Sequence, residues 1–182
     1  MTSLVQAAPR ANRVDRLRAM VDAHIDAIAR VLRRLGVPES DVDDGVQQVF
    51  LTASRRLAEI EEHAEKAFLF RIALHVAMHA RRSLARRRED PVEDVFVVDA
   101  APSAEEMIDR QRAAKILEHV LDAMQEDIRV VFVLFEIEQL TVAEIAALVE
   151  IPEGTVASRL RRAREDFRER MKRLRAHKRG LP

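Results

Sequence analysis

Apolar side chains return every three or four residues along most of this chain, a rhythm that commits it to helices burying one face each. The first run spans about Arg13 to Leu35, with Val14, Leu17, Val21, Ile25, Ile28, Leu32 and Leu35 on one stripe, and Gly36, Val37 and Pro38 stop it. Ser40 followed by Asp43 has the form of a capping pair. It opens a second helix to about Ala58, striped by Val42, Val46, Val49, Phe50, Ala53 and Leu57, with Gly45 inside at some cost in helix propensity. A third, from about Ala64 to Arg87, offers Leu69, Ile72, Ala73, Val76, Ala80 and Leu84. Three helices of this size enclose one small core.

Composition supports an all-α fold. Among 182 residues there are only four glycines, six prolines and no Trp or Tyr, so little favours a sheet. That length holds one ordinary domain or two small ones. With no cysteine, disulfides and thiolate metal sites are excluded. The opening residues lack the apolar core of a secretory signal, and the longest apolar run, VVFVLF at 130 to 135, is far short of a membrane span. A cytoplasmic protein without membrane insertion is expected.

From Glu89 to about Asp109 the periodicity collapses into a stretch with two prolines and a heavy acidic bias. It reads as a linker; its VFVV has no partner strand in sight. A second helical unit follows, with Ile116, Leu117, Val120, Leu121 and Met124 on one stripe, then the nearly all-apolar IRVVFVLFEI, central to its core. Thr141 and Glu144 make a capping box ahead of a short helix, and the turn EIPEG leads into a last helix with Pro152 near its first turn.

The equal numbers of basic and acidic residues conceal a segregation. Residues 1 to 88 carry +5, residues 89 to 153 carry −13 and residues 154 to 182 carry +8. In the last helix Val156, Leu160, Ala163, Phe167 and Met171 form the inner stripe, while Arg159, Arg161, Arg162, Arg164, Arg168 and Arg170 fill the gaps. A capped short helix, a tight turn and a longer basic helix is the helix-turn-helix order, in which the second helix enters the major groove. A solvated hairpin is the competing reading, with Glu165 and Glu169 paired to Arg161 and Arg162, or to Arg168 and Arg173.

LTVAEIAALVEIPEGTVASRLRRAREDFRERM resembles region 4 of the extracytoplasmic-function (ECF) sigma factors of bacterial RNA polymerase. DVDDGVQQVFLTASRRL is similar to region 2.2 of that family, and AFLFRIALHVAMHARRSLARRR to its regions 2.3 and 2.4. The resemblance implies two small helical domains joined by an acidic linker: a tail at 1–12, a region 2-like domain at 13–88, the linker at 89–110, a region 4-like helix-turn-helix domain at 111–176 and a tail at 177–182. It implies core RNA polymerase and promoter DNA as partners, no cofactor, no metal and no catalysis. An anti-sigma protein is a common further partner in the family.

By motif match, Asp44, Gln47, Gln48, Phe50 and Leu51 fall where the family meets the polymerase, although Phe50 also fits the core stripe. Phe68, Phe70, Arg71, His75, His79, Arg81 and Arg82 fall where it handles the −10 element, since unstacked bases stack on rings and the backbone needs cations; Phe68 also fits a buried place. Thr155, Ser158, Arg159, Arg161 and Arg162 match the −35 contacts, with Arg164 and Arg168 as backbone or solvent contacts. The chain departs from the family pattern at Gly45, Gln48, Phe68, His75, His79 and Ala157, and the two histidines bear on the −10 preference. Two histidines one turn apart make a weak metal site without a third ligand. The alternatives are a stand-alone helix-turn-helix regulator and a degenerate sigma-like interaction protein. No constellation of catalytic groups can be picked out.

Overall fold

The computed structural model describes residues 10–61, 63–87 and 105–179, and it is helical, with no strand among the described residues. The expected linker, its VFVV included, lies outside them up to residue 104. The helices are α1 (Arg10–Arg34), α2 (Glu39–Arg55), α3 (Glu65–Arg87), α4 (Glu105–Asp122), α5 (Glu126–Phe132), α6 (Val142–Val149) and α7 (Glu153–Arg179). A 3-10 turn, Leu57–Glu59, precedes α3, and a π-helical segment, Val133–Ile137, continues α5. Backbone contacts divide the chain into two compact units, Met1–Arg33 with Val37–Met78, and Arg34–Gly36 with His79–Pro182. The boundary between the two units falls within α3. Helix also extends past the expected edges of both tails and of the linker, at Arg10, Glu105 and Arg179.

The core forms along the expected stripes in part, and on α3 Val76, Ala80 and Leu84 of the expected stripe are only half-buried. The α1 stripe is buried only in its second half: Ile28 and Leu32 are fully enclosed, whereas Val14 is 64% and Ile25 40% exposed. On α3 the buried surface is wider than one stripe, taking in Phe70, Leu74 and Ala77 beside Leu69, Ile72 and Ala73. Arg16 ties α1 to the turn before α3, donating to the Ile60 carbonyl at 2.7 Å and to Glu65 Oε1 at 3.0 Å.

The cap of α2 differs from expectation. Pro38 is the N-cap, with extended ψ of 143°, and no side chain caps the helix; Ser40 Oγ instead donates to Asp41 Oδ1 at 2.8 Å. Glu39 and Asp41 place negative charge in the first turn, which suits the positive end of the helix dipole without a capping box. Gly45 is a point of close approach. A Cβ there would sit 3.0 Å from Leu32 Cδ1 and 3.5 Å from Val76 Cγ1, so its lower helix propensity is the cost of bringing α2 against α1 and α3.

The second unit is organised around α5 and the π segment, where Val130 through Leu134 are buried as the apolar run implies. Within that run lies Arg129, only 1% exposed. It donates from Nη2 to the carbonyls of Asp122 and Met124, at 3.2 and 3.0 Å, and from Nη1 to Asp122 Oδ1 at 3.2 Å. Those carbonyls belong to the end of α4 and the turn beyond it, so one guanidinium satisfies acceptors that the helix leaves open. Burial pushes Arg129 down to about 10, which leaves it charged at neutral pH. The Thr141 cap forms as expected: Glu144 N donates to Thr141 Oγ1 at 3.2 Å and Thr141 N to Glu144 Oε2 at 2.7 Å.

Filling the Gly45 gap overpacks a closed core, so Gly45→Val should destabilise the protein by about 2 kcal/mol. Chemical denaturation checks this, with Gly154→Ala, where a Cβ meets nothing within 4 Å and helix propensity rises, as the comparison that should not destabilise.

Candidate nucleic-acid interface

The second unit presents a short helix, a tight turn and a long basic helix. α6 ends at Glu150, whose left-handed backbone (φ 58°, ψ 44°) turns the chain, and Ile151 N donates to the Ala146 carbonyl at 3.2 Å to close the turn. Pro152 immediately precedes α7, where an N–H would have no intrahelical acceptor, and its carbonyl accepts from Thr155 N and Val156 N. Val156, Leu160 and Ala163 are buried against α5 and α6, and the Phe167 ring stacks on Phe132 with centroids 4.9 Å apart.

That packing sorts the arginines into two sets. Arg159 is half-buried, its Nε 3.4 Å from Asp127 Oδ2 on α5. Arg164 donates from Nε to Glu136 Oε1 at 2.6 Å and lies 5.2 Å over the Phe135 ring. Both therefore meet carboxylates of the chain itself. Ser158, Arg161, Arg162 and Arg168 are exposed, along with Ala157 and Glu165, while Thr155 is half-buried. Arg162 Nη2 touches Gln125 Oε1 at 3.2 Å. Of the ion pairs expected for a merely solvated face, Arg173–Glu169 is present at 3.6 Å; Arg170 pairs instead with Asp166 at 2.6 Å.

On α3, Arg71, His75, His79 and Arg82 are all exposed at spacings of four, four and three, and so form one file along the helix. Arg81 is half-buried and off that file. The two expected aromatic groups separate. Phe68 is half-buried under the Arg56 guanidinium, 5.3 Å from the ring centroid. Phe70 is 1% exposed, a core residue, and a ring so enclosed has no face to stack on a base; the wide buried face of α3 takes the place that the motif match assigned to DNA. Lys66 covers it at 5.3 Å.

On α2, Asp44, Gln47, Gln48 and Leu51 are exposed, Leu51 to 45%. Phe50 is 9% exposed, and what remains of its surface lines an open groove between α1 and α2 with Val21, Ile25, Val46 and Gln47. The two readings of Phe50 thus merge, since it belongs to the core and also floors a groove. Among the described residues no three potential metal ligands cluster, and no helix is long and apolar enough to cross a membrane.

Two family models match successive parts of the chain. The sigma-70 region 2 model matches residues 20–87, and the sigma-70 region 4 model matches residues 114–167. The ECF RNA polymerase sigma-E factor of Escherichia coli (strain K12) is 32% identical over 141 residues, covering 71% of this chain and 73% of that protein. The chain belongs to the ECF sigma factors. The SigE factor of Mycolicibacterium smegmatis is 29% identical over 152 residues, covering 82% of this chain and 59% of that protein. Among solved structures, CnrH in complex with the cytosolic domain of CnrY matches with a TM-score of 0.65 at 26% identity, over 86% of this chain and 87% of that one. RpoE of Bartonella quintana, solved with the anti-sigma factor NepR, shares the fold with a TM-score of 0.67 at 21% identity, over 85% and 96%. As an ECF sigma factor, the chain acts with core RNA polymerase and promoter DNA to start transcription.

The Phe132–Phe167 stack holds α7 to α5. Phe132→Ala should therefore destabilise the protein by about 3 kcal/mol in urea denaturation, and Phe132→Leu by less than half of that.

Proposed function

We propose that this sigma factor meets core polymerase with the exposed strip Asp44, Gln47, Gln48 and Leu51 and the neighbouring Phe50 groove, and reads promoter DNA with α3 and α7. The observation that carries the reading is the sorting of α7: its apolar stripe is buried, and Ser158, Arg161 and Arg162 stand exposed on the opposite side. Arginine at such positions meets guanine bidentately or grips phosphate. Thr155, at the first turn, suits a backbone phosphate, and Arg159 belongs to the same set, restrained by Asp127.

The file Arg71, His75, His79 and Arg82 on α3 is assigned to the −10 element, with Phe68 as the ring able to stack on an unpaired base and Arg81 at the side. Histidine at two of these positions offers a hydrogen-bonding edge and a π face to a base. Phe70 is left out of the DNA-contacting set. The protein works in the cytoplasm and catalyses nothing itself. The solved relatives are bound to CnrY and NepR, and a partner of that kind is proposed for this chain at its polymerase-binding strip.

Mixing the purified chain with core polymerase tests the reading: co-elution and run-off transcripts from a promoter library are expected. DNA binding without polymerase would instead favour a stand-alone regulator, and polymerase binding without transcripts a non-initiating relative. Within the holoenzyme, Arg162→Ala should cost about 2 kcal/mol of −35 affinity and relax base preference. Arg168→Ala should weaken binding evenly across sequences and reduce the salt slope by about 1.

A further inference from the structure

Two of the guanidiniums assigned to −35 DNA are held from a different helix. Asp127, in the first turn of α5, approaches Arg159 Nε at 3.4 Å, with the two side chains 39% and 27% exposed. Gln125, the N-cap of the same helix, accepts from Arg162 Nη2 at 3.2 Å. Neither residue lies on the helix-turn-helix itself. α5 packs directly on α7, so its first turn is fixed relative to the exposed face of the basic helix.

We propose that the start of α5 is a specificity element of the promoter-reading face, with Asp127 as the positioning residue for Arg159. The inference rests on the reading of α7 as the −35 helix. A carboxylate on the Nε side of a guanidinium leaves the two Nη nitrogens at the far end of the fork to donate, which is the geometry that meets the O6 and N7 of guanine. The same carboxylate cancels much of the positive charge that an unrestrained arginine would offer to any phosphate. Sequence-independent binding grows with the number of cations that displace counterions from DNA, so a paired Arg159 contributes little to it. Asp127 therefore trades overall affinity for discrimination, rejecting wrong sequences by keeping a cation away from the backbone.

The test uses the full-length chain assembled with core polymerase, and two duplexes: a −35 element selected from a random library by the wild-type holoenzyme, and its shuffled form. Affinities are measured from 50 to 200 mM salt. Asp127→Asn should bind the shuffled duplex more tightly than wild type, with a log–log salt slope steeper by about 0.9, one additional phosphate contact. Its ratio of selected to shuffled affinity should fall about tenfold. Asp127→Glu should keep most of that ratio. A purely structural Asp127 would weaken both duplexes together and lower the melting temperature. That result, or an unchanged slope and ratio, overturns the inference. A wild-type holoenzyme that selects no −35 duplex overturns the assignment of α7 itself, and this inference with it.

Discussion

The apolar contact between α7 and α5 decides what the second unit can do. Val156, Leu160 and Ala163 are buried on one side of α7, and Phe167 stacks on Phe132. A helix carries side chains all round at fixed angles, so burying one stripe dictates which of the remaining groups face outward. Arginines flanking the stripe meet Asp127 and Glu136, and those opposite it are left exposed. The hydrophobic face orients the cationic one. Without that anchorage, six arginines on a helix would be a solvated surface with no register.

The parts that hold the anchorage are polar as well as apolar. Arg129 lies inside the α5 apolar run and saturates carbonyls at the end of α4, fixing the corner from which α5 departs. The capping box at Thr141 and the left-handed Glu150 bound α6 tightly, so the turn into α7 has little freedom. In the first unit the corresponding device is Gly45, whose missing side chain lets α2 close on Leu32 and Val76 while its polar residues stay outward. Each unit thus uses a local sacrifice, a buried charge or a helical glycine, to set the pose of an exposed face.

Most of the helices were legible in the sequence because their apolar period is strong and their stops are Gly and Pro. The Thr141–Glu144 cap and the helix-turn-helix order were legible for the same reason, since both are local. Less accessible was whatever depends on a neighbouring helix. The α2 start at Pro38 replaced the Ser40 cap because acidic residues in the first turn serve the helix end without one. The motif match places Phe70 at the −10 element, whereas the buried surface of α3 spans more than one stripe, a width that only packing defines. Arg129 is a charge in an apolar run, and no periodicity says which carbonyls it will meet. The partners of Arg159 and Arg164 lie 32 and 28 residues away in sequence, on helices whose pairing is set by the fold. The motif match located the −35 candidates; it could not reveal that one of them is restrained.

Because the chain contains no cysteine, a single one can be introduced to carry a DNA-cleaving iron chelate. The most direct test of the orientation of α7 places that chelate at Ala157, exposed beside Ser158, in the holoenzyme bound to a promoter it transcribes. Strand cleavage centred on the −35 element is the expected result. Cleavage that is absent there, or that instead appears from a chelate at Ala147 on α6 and not from Ala157, would mean that the face left open by the α5 contact is not the one that meets DNA.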